Sequence, residues 1–390
     1  MRKLSADIIY PIQGAPIQEG VVVVDEDGIV LKLDIRSNHA QEELEIYEGC
    51  IIPGFVNTHC HLELSHMKAK VDTGTSLIPF ISGVVSQREA PKDTILAAIA
   101  AAEDEMIAAG IVAVGDISNV EDTFAQKSKG RLRYYTFFDF LQPSLTESEF
   151  KKYKAVYDAL VLADGHQKTC VPHAPYSVSA NLFDYINQVN TADLSTISIH
   201  NQETPPENQL FMNKTGGFVD FYEGFGMQLD AFEATKQASI KYAIAHMNPR
   251  LRTLFVHNTL STAKDIQAAH AWSDRVYWAT CPNANLYIEN RLPNYRLFLD
   301  NDARMTIGTD SLTSNWQLSI LEEMKTIAKY QSYVPFETLL QWATLNGAKA
   351  LGFDKDLGSI TVGKKCGLNL LYRLDEKGSL YQDTAIQKLV

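Results

Sequence analysis

Residues Asn57-Thr58-His59-Cys60-His61 follow directly on the apolar run Cys50 to Val56, which sets two histidines two positions apart at the end of a predicted buried strand. Alternate residues of a strand share a face, so both imidazoles aim at one spot. Imidazole is the commonest ligand of zinc and of other borderline first-row metals, and such a pair forms a clamp for one of them. Alone, a His-x-His pair fits a chance surface pair equally well. Three further apolar runs end in His200, His257 and Asp310, and Glu203 follows His200 by three residues. Metal-competent side chains at four separate strand ends are hard to reach by accident. They support one divalent metal held by His59, His61, His200 and Asp310, with a position left for water. Three neutral imidazoles and one carboxylate suit zinc first and iron(II) second. An open position makes the site catalytic, because the metal turns water into hydroxide near neutral pH. Asp310 is then placed to take the water's proton, and His257 to orient the hydroxide or polarise the electrophile. Glu203, at the edge of a partly desolvated pocket, is a candidate general acid, with an exposed glutamate at the base of a loop as its alternative.

These side chains need strands that end on one face. Strands are predicted over Ile51–His59, Ile111–Ile117, Leu132–Phe140, Thr169–His173, Thr196–His200, Thr253–His257, Arg275–Cys281 and Arg304–Thr309. Helices are predicted between them over Asp93–Ala109, Glu147–Ala163, Asn181–Val189, Ala263–Trp272, Trp316–Tyr330 and Phe336–Ala350. This alternation indicates parallel βαβ repeats closing into an α/β (β/α)8 TIM barrel, whose active sites lie at the C-terminal strand ends. A doubly wound open sheet is the competitor, but no Gly-x-Gly-x-x-Gly or phosphate loop follows the first strand. Many barrel hydrolases hold two metals through a modified lysine at the end of the fourth strand. Here Cys170-Val171-Pro172-His173-Ala174-Pro175-Tyr176 has His173 in that place, so one metal is expected, and His173 either contacts substrate or makes a structural hydrogen bond. The segment Thr204 to Asp230, with Phe211, Phe218, Phe221, Tyr222 and Phe225, reads as a long loop covering the site.

Both ends of the chain are different in kind. Gly20-Val21-Val22-Val23-Val24 before the turn cluster Asp25-Glu26-Asp27-Gly28, and the Gly-punctuated stretch Gly358 to Tyr372, are β-like. Residues 1–52 plus 352–390 are therefore expected to form a composite β-sandwich, and residues 53–351 the barrel. At 390 residues the chain is long enough for both. With 47 acidic and 35 basic residues, the net charge of −12 argues against nucleic acid or an anionic membrane as partner and favours a small-molecule substrate. Five cysteines without paired spacing, no secretory leader pattern and no run near the ~20 apolar residues of a membrane span predict a cytoplasmic protein.

Taken together, these residues resemble the amidohydrolase superfamily, in its branch of hydrolytic deaminases and chlorohydrolases that includes cytosine, guanine, methylthioadenosine/S-adenosylhomocysteine and aminodeoxyfutalosine deaminases. The resemblance covers nearly the whole chain. It rests on Pro53-Gly54-Phe55-Val56-Asn57-Thr58-His59-Cys60-His61-Leu62-Glu63, His173-Ala174-Pro175-Tyr176-Ser177, His200-x-x-Glu203, His257, Cys281-Pro282-Asn283-Ala284-Asn285 and Gly308-Thr309-Asp310-Ser311. It implies the same four ligands, Glu203 as proton shuttle and His257 beside the metal, together with the sandwich built from both termini and a homodimer. His61-Leu62-Glu63-Leu64-Ser65 and Asp310-Ser311-Leu312-Thr313-Ser314-Asn315 look most like aminodeoxyfutalosine deaminases. Asn201-Gln202 and His257-Asn258 depart from the usual neighbours and reshape the pocket. The expected activity is hydrolytic removal of an exocyclic amino group from a purine-like nucleoside, with His173, Glu63 and Ser311 contacting substrate. Dechlorination, cyclic-amide hydrolysis, deamination of a free base or pterin, and a non-catalytic barrel are the alternatives.

Overall fold

A computed structural model describes residues 1–140, 147–193, 195–224, 226, 229, 232–375 and 380–390. Five strands open the chain: β1 (Arg2–Ile9), β2 (Ile17–Gln18), β3 (Gly20–Val24), β4 (Val30–Ile35) and β5 (Glu45–Pro53). The Asp25 carboxylate accepts the Asp27 and Ile29 amides and closes the β3–β4 turn. Eight strands follow: β6 (Phe55–Cys60), β7 (Ile111–Ser118), β8 (Arg133–Phe140), β9 (Gln167–Pro172), β10 (Thr196–Asn201), β11 (Arg252–His257), β12 (Val276–Thr280) and β13 (Met305–Ile307). The last two are β14 (Leu368–Tyr372) and β15 (Ala385–Lys388).

Both termini meet in one seven-stranded mixed sheet of order β15-β14-β5-β1-β3-β4, with β2 on β1. The predicted strand Ile51–His59 divides at Gly54, since Ile51 to Pro53 belong to this sheet and Phe55 to His59 to β6. A continuous apolar run hides such a break, because both halves are buried. Gly54 is required there: a Cβ would lie 2.3 Å from Val112 and 2.9 Å from the Cys366 carbonyl oxygen.

The eight middle strands pair in parallel as β6-β7-β8-β9 and β10-β11-β12-β13. Hydrogen bonds bridge the two sheets at both seams. The His200 amide donates to the His173 carbonyl (2.9 Å), and the Thr309 and Asp310 amides both donate to the His59 carbonyl (3.0 Å each). Gly308 permits the second approach, because a Cβ would lie 2.8 Å from the His59 Cβ. The strands bury an almost unbroken apolar core, as expected of parallel strands covered on both faces.

The helices depart more from expectation. Trp316–Tyr330 starts late, at Ile320, where the Ser319 hydroxyl caps the Glu322 amide. Phe336–Ala350 is interrupted by one π-turn over Trp342–Asn346. The expected long loop is two helices, Pro205–Asn213 and Gly217–Gly224. Phe218, Phe221 and Tyr222 have helical spacing, but the prolines and glycines at each start mask it. Phe225 and Asp230 of that segment lie outside the described residues. No helix among the described residues is long and apolar enough to cross a membrane. All five cysteines are buried and unpaired.

Candidate active site

At the ends of β10, β11 and β13 the backbone leaves the strand through unusual conformations. His257 has φ 72°, Asn258 59°, Asp310 57° and Gln202 46°, a region that non-glycine residues rarely occupy. Such strain persists only where the surroundings over-determine it, and here it turns side chains onto one point. The Nε2 atom of His61 lies 3.2 Å from that of His59 and 3.3 Å from that of His200. Asp310 Oδ1 is 3.5 Å from Nε2 of both His59 and His61.

The spacing suits a cation. Ligands of a tetrahedral zinc held at 2.0–2.1 Å are separated by about 3.3–3.4 Å. The tautomers are also arranged for it. His200 Nδ1 donates to the His173 carbonyl (2.8 Å) and His257 Nδ1 to Asn285 Oδ1 (2.8 Å), so each Nε2 keeps its lone pair. Burial pushes His61 down to about 3 and His257 to about 4, and it lowers His200 strongly. All three are neutral at pH 7, the form that ligates. Asp310 is the opposite case: burial works against its charge, but a hydrogen bond with His59 and the imidazoles around it hold the carboxyl well below the ordinary range. The Ser314 hydroxyl donates to its other oxygen at 2.7 Å. Among the described residues, His59, His61 and Asp310, and His59, His200 and His257, are two overlapping groups close enough to share an ion.

A cavity of about 320 Å³ opens from this cluster. Glu203 lines it, buried, with Oε1 3.7 Å from His257 Nε2. Burial raises its pKa well above the usual value, and the nearby Asp310 and Glu207 carboxylates add to the effect. Burial thus favours the protonated form of this side chain, and the exposed-loop alternative does not hold. His173 makes the expected structural hydrogen bond and also lines the cavity. Nδ1 bonds Asp139 Oδ2 at 2.5 Å, while the half-buried ring lines the cavity. Glu63 and Ser311 line it too. Glu63 Oε2 accepts the Asn119 amide (3.0 Å), Arg88 is 3.7 Å from Oε1, and burial pushes the carboxyl up to about 8. His66, by contrast, bonds the Arg88 carbonyl oxygen (2.8 Å) and is not among the cavity's lining.

The amidohydrolase family model matches residues 50–387, which is most of the chain. The chain belongs to the amidohydrolase family. An adenosine deaminase of Helicobacter pylori is 27% identical over 360 residues, covering 90% of this chain and 86% of that protein. In structure, the amidohydrolase is similar to H. pylori aminofutalosine deaminase in complex with methylthio-coformycin, with TM-score 0.84, 24% identity and coverage of 95% and 92% of the two chains. An adenosine deaminase from Xanthomonas campestris with bound zinc gives TM-score 0.70 at 21% identity, covering 95% and 84%. Those structural likenesses show the shared fold, which in this family includes a TIM-barrel domain.

The amidohydrolase has site features that strand patterns do not reveal. One cavity wall is Leu77, Phe80, Ile81 and Val84 of the helix Leu77–Gln87, whose i, i+3, i+4, i+7 spacing was available in the sequence. A second is the buried pair behind His61. Lys127 Nζ is 2.6 Å from Asp116 Oδ2 and also donates to Ser118 and Thr136, while Asp116 Oδ1 accepts the Leu62 amide at 2.8 Å. Lys127→Met is expected to destabilise the fold by about 3–5 kcal/mol, because it strands a buried carboxylate. Urea unfolding measures this, and a loss under ~1 kcal/mol would show that Asp116 does not depend on the lysine.

Proposed function

We propose that this chain is a metal-dependent hydrolytic deaminase that converts the exocyclic amino group of a purine-like nucleoside to a carbonyl and releases ammonia. The observation that carries the reading is a buried Glu203, its proton favoured by burial, 3.7 Å from His257 at the end of a cavity floored by His61, His200 and Asp310. One divalent cation, zinc first and iron(II) second, held by His59, His61, His200 and Asp310, supplies the Lewis acidity that makes water a nucleophile at neutral pH. Asp310 takes the proton of the attacking water as the new C–O bond forms. Glu203 gives its proton to the adjacent ring nitrogen, so that no full negative charge develops on the ring. His257, its tautomer set by Asn285, directs its Nε2 at the reacting atoms. The proton on Asp310 then passes to the amino nitrogen as the C–N bond breaks, and Glu203 takes back the remaining hydroxyl proton as the carbonyl forms.

The remaining parts follow from the same reading. The two parallel sheets close as one (β/α)8 barrel over residues 53–351, and residues 1–52 with 352–390 make the composite β-sandwich. The protein works in the cytoplasm on a small molecule, as a homodimer. His173, Glu63 and Ser311 bind the substrate.

Nucleosides are the expected substrates because Phe80, Tyr176, Phe221 and Tyr222 line the same cavity as the reacting end and offer aromatic surface to a planar base. An ammonia-release screen should rank adenosine-type compounds, aminodeoxyfutalosine first, above cytosine, guanine and pterins in kcat/KM. His173→Ala keeps the backbone carbonyl that holds His200 but removes the ring, and should erode that preference by ~1–3 kcal/mol, the scale of a buried hydrogen bond left unmade. A free base as the better substrate, or an unchanged preference in His173→Ala, would end the nucleoside assignment while leaving the deaminase one standing.

A further inference from the structure

The chain between β10 and the helix Pro205–Asn213 must aim Glu203 into the cavity, and it does so through the left-handed Gln202. A side chain that does not line the cavity holds this turn. Glu207, fully buried, accepts the Gln202 amide at Oε1 (2.9 Å) and the Glu203 amide at Oε2 (3.1 Å). From the other side, the Thr259 hydroxyl donates to the carbonyl oxygens of Gln202 (3.1 Å) and Glu203 (2.6 Å), and the Leu260 amide to that of Gln202 (3.1 Å). Both backbone groups of the Glu203 residue are thereby tied down.

An acidic residue in the first turn of a helix commonly serves that helix, by reaching back to the amide of the capping residue. Glu207 does something else. The capping residue is Thr204, and the two positions after it are Pro205 and Pro206, which have no N–H to satisfy. The carboxylate passes over Thr204 and binds the two amides before it. Its backbone partners belong to the turn that presents Glu203, not to the helix, and the Ser239 hydroxyl is a further side-chain partner.

Resting on the assignment of Glu203 as proton donor, we propose that Glu207 is a positioning residue: its carboxylate grips two successive amides and sets the direction of the Glu203 side chain. Glu207→Gln keeps the shape but offers one acceptor, and its NH2 group meets a backbone N–H. The turn must then shift. A displacement near 1 Å at a reacting group costs about 10²-fold, so kcat for adenosine should fall by roughly 10- to 100-fold with KM and metal content close to wild type.

A double-mutant cycle with Glu203→Gln separates positioning from general destabilisation. Once Glu203 carries no transferable proton its aim is irrelevant, so adding Glu207→Gln to Glu203→Gln should change kcat by less than about twofold. The same loss in both backgrounds, a change in KM instead of kcat, or wild-type turnover in Glu207→Gln would overturn the proposal. Full turnover in Glu203→Gln would remove the proton-donor assignment and the proposal with it, whereas an impaired Glu203→Gln beside a normal Glu207→Gln removes the proposal alone. If Glu207→Gln does not fold, Glu207→Asp carries the same cycle, since it keeps the carboxyl group while its shorter side chain draws both oxygens back from the amides.

Discussion

Glu203→Gln is expected to bind metal as the wild type does and to lose turnover by ~10² or more, the usual scale for removing a general acid or base. The geometry makes the separation clean. Glu203 is 3.7 Å from His257 and is not one of the groups close enough to share an ion with His59. Its backbone is fixed by Glu207 and Thr259 and does not depend on the carboxyl proton. Glutamine keeps the volume and cannot donate and retake the proton. Metal analysis alongside steady-state ammonia release reads both quantities. Wild-type turnover in a metal-replete Glu203→Gln variant would place the acid elsewhere.

Asp310→Asn should be at least as damaging to turnover as to metal retention, because the carboxylate is assigned two tasks. Its Oδ1 faces His59 and His61 while its Oδ2 accepts the Ser314 hydroxyl, so the side chain is held whether or not it is charged. An amide in the same place still presents an oxygen to the cation but cannot collect the water's proton. The wild type should hold close to one metal per chain, and chelation should abolish activity, with zinc or iron(II) restoring it. The loss in Asp310→Asn should persist in excess metal. Equal activity in the metal-loaded variant would refute the proton-accepting role, and two ions per active chain would refute the single-ion site.

How far the sequence reaches can be seen strand by strand. The eight parallel strands were legible because each is a short, largely buried run rich in β-branched, aromatic and other apolar residues, the pattern that burial on both faces favours. The chemistry was legible because ligands and proton carriers can come only from a few residue types, and His59, His61, His200, His257 and Asp310 stand where those runs stop. Local spacing also holds the helix at 77–87 and the helical Phe218, Phe221 and Tyr222, obscured by neighbouring prolines and glycines.

Tertiary structure alone decided what depends on partners distant in the chain. Ile51 to Pro53 join β1 and β14 and not the barrel strands, a choice made by pairing and not by composition. The carbonyl of His173 orients His200 while its ring is held by Asp139, and the Glu63 carboxyl is pushed up to about 8 by a shell that no nearby residue foretells. Burial and hydrogen-bond direction are sums over the whole fold, so identical residue types in the sequence can be ligand, acid or clamp. Glu203 and Glu207 are both glutamates at the foot of one helix. Only packing aims the first into the cavity and turns the second back onto the chain that carries it.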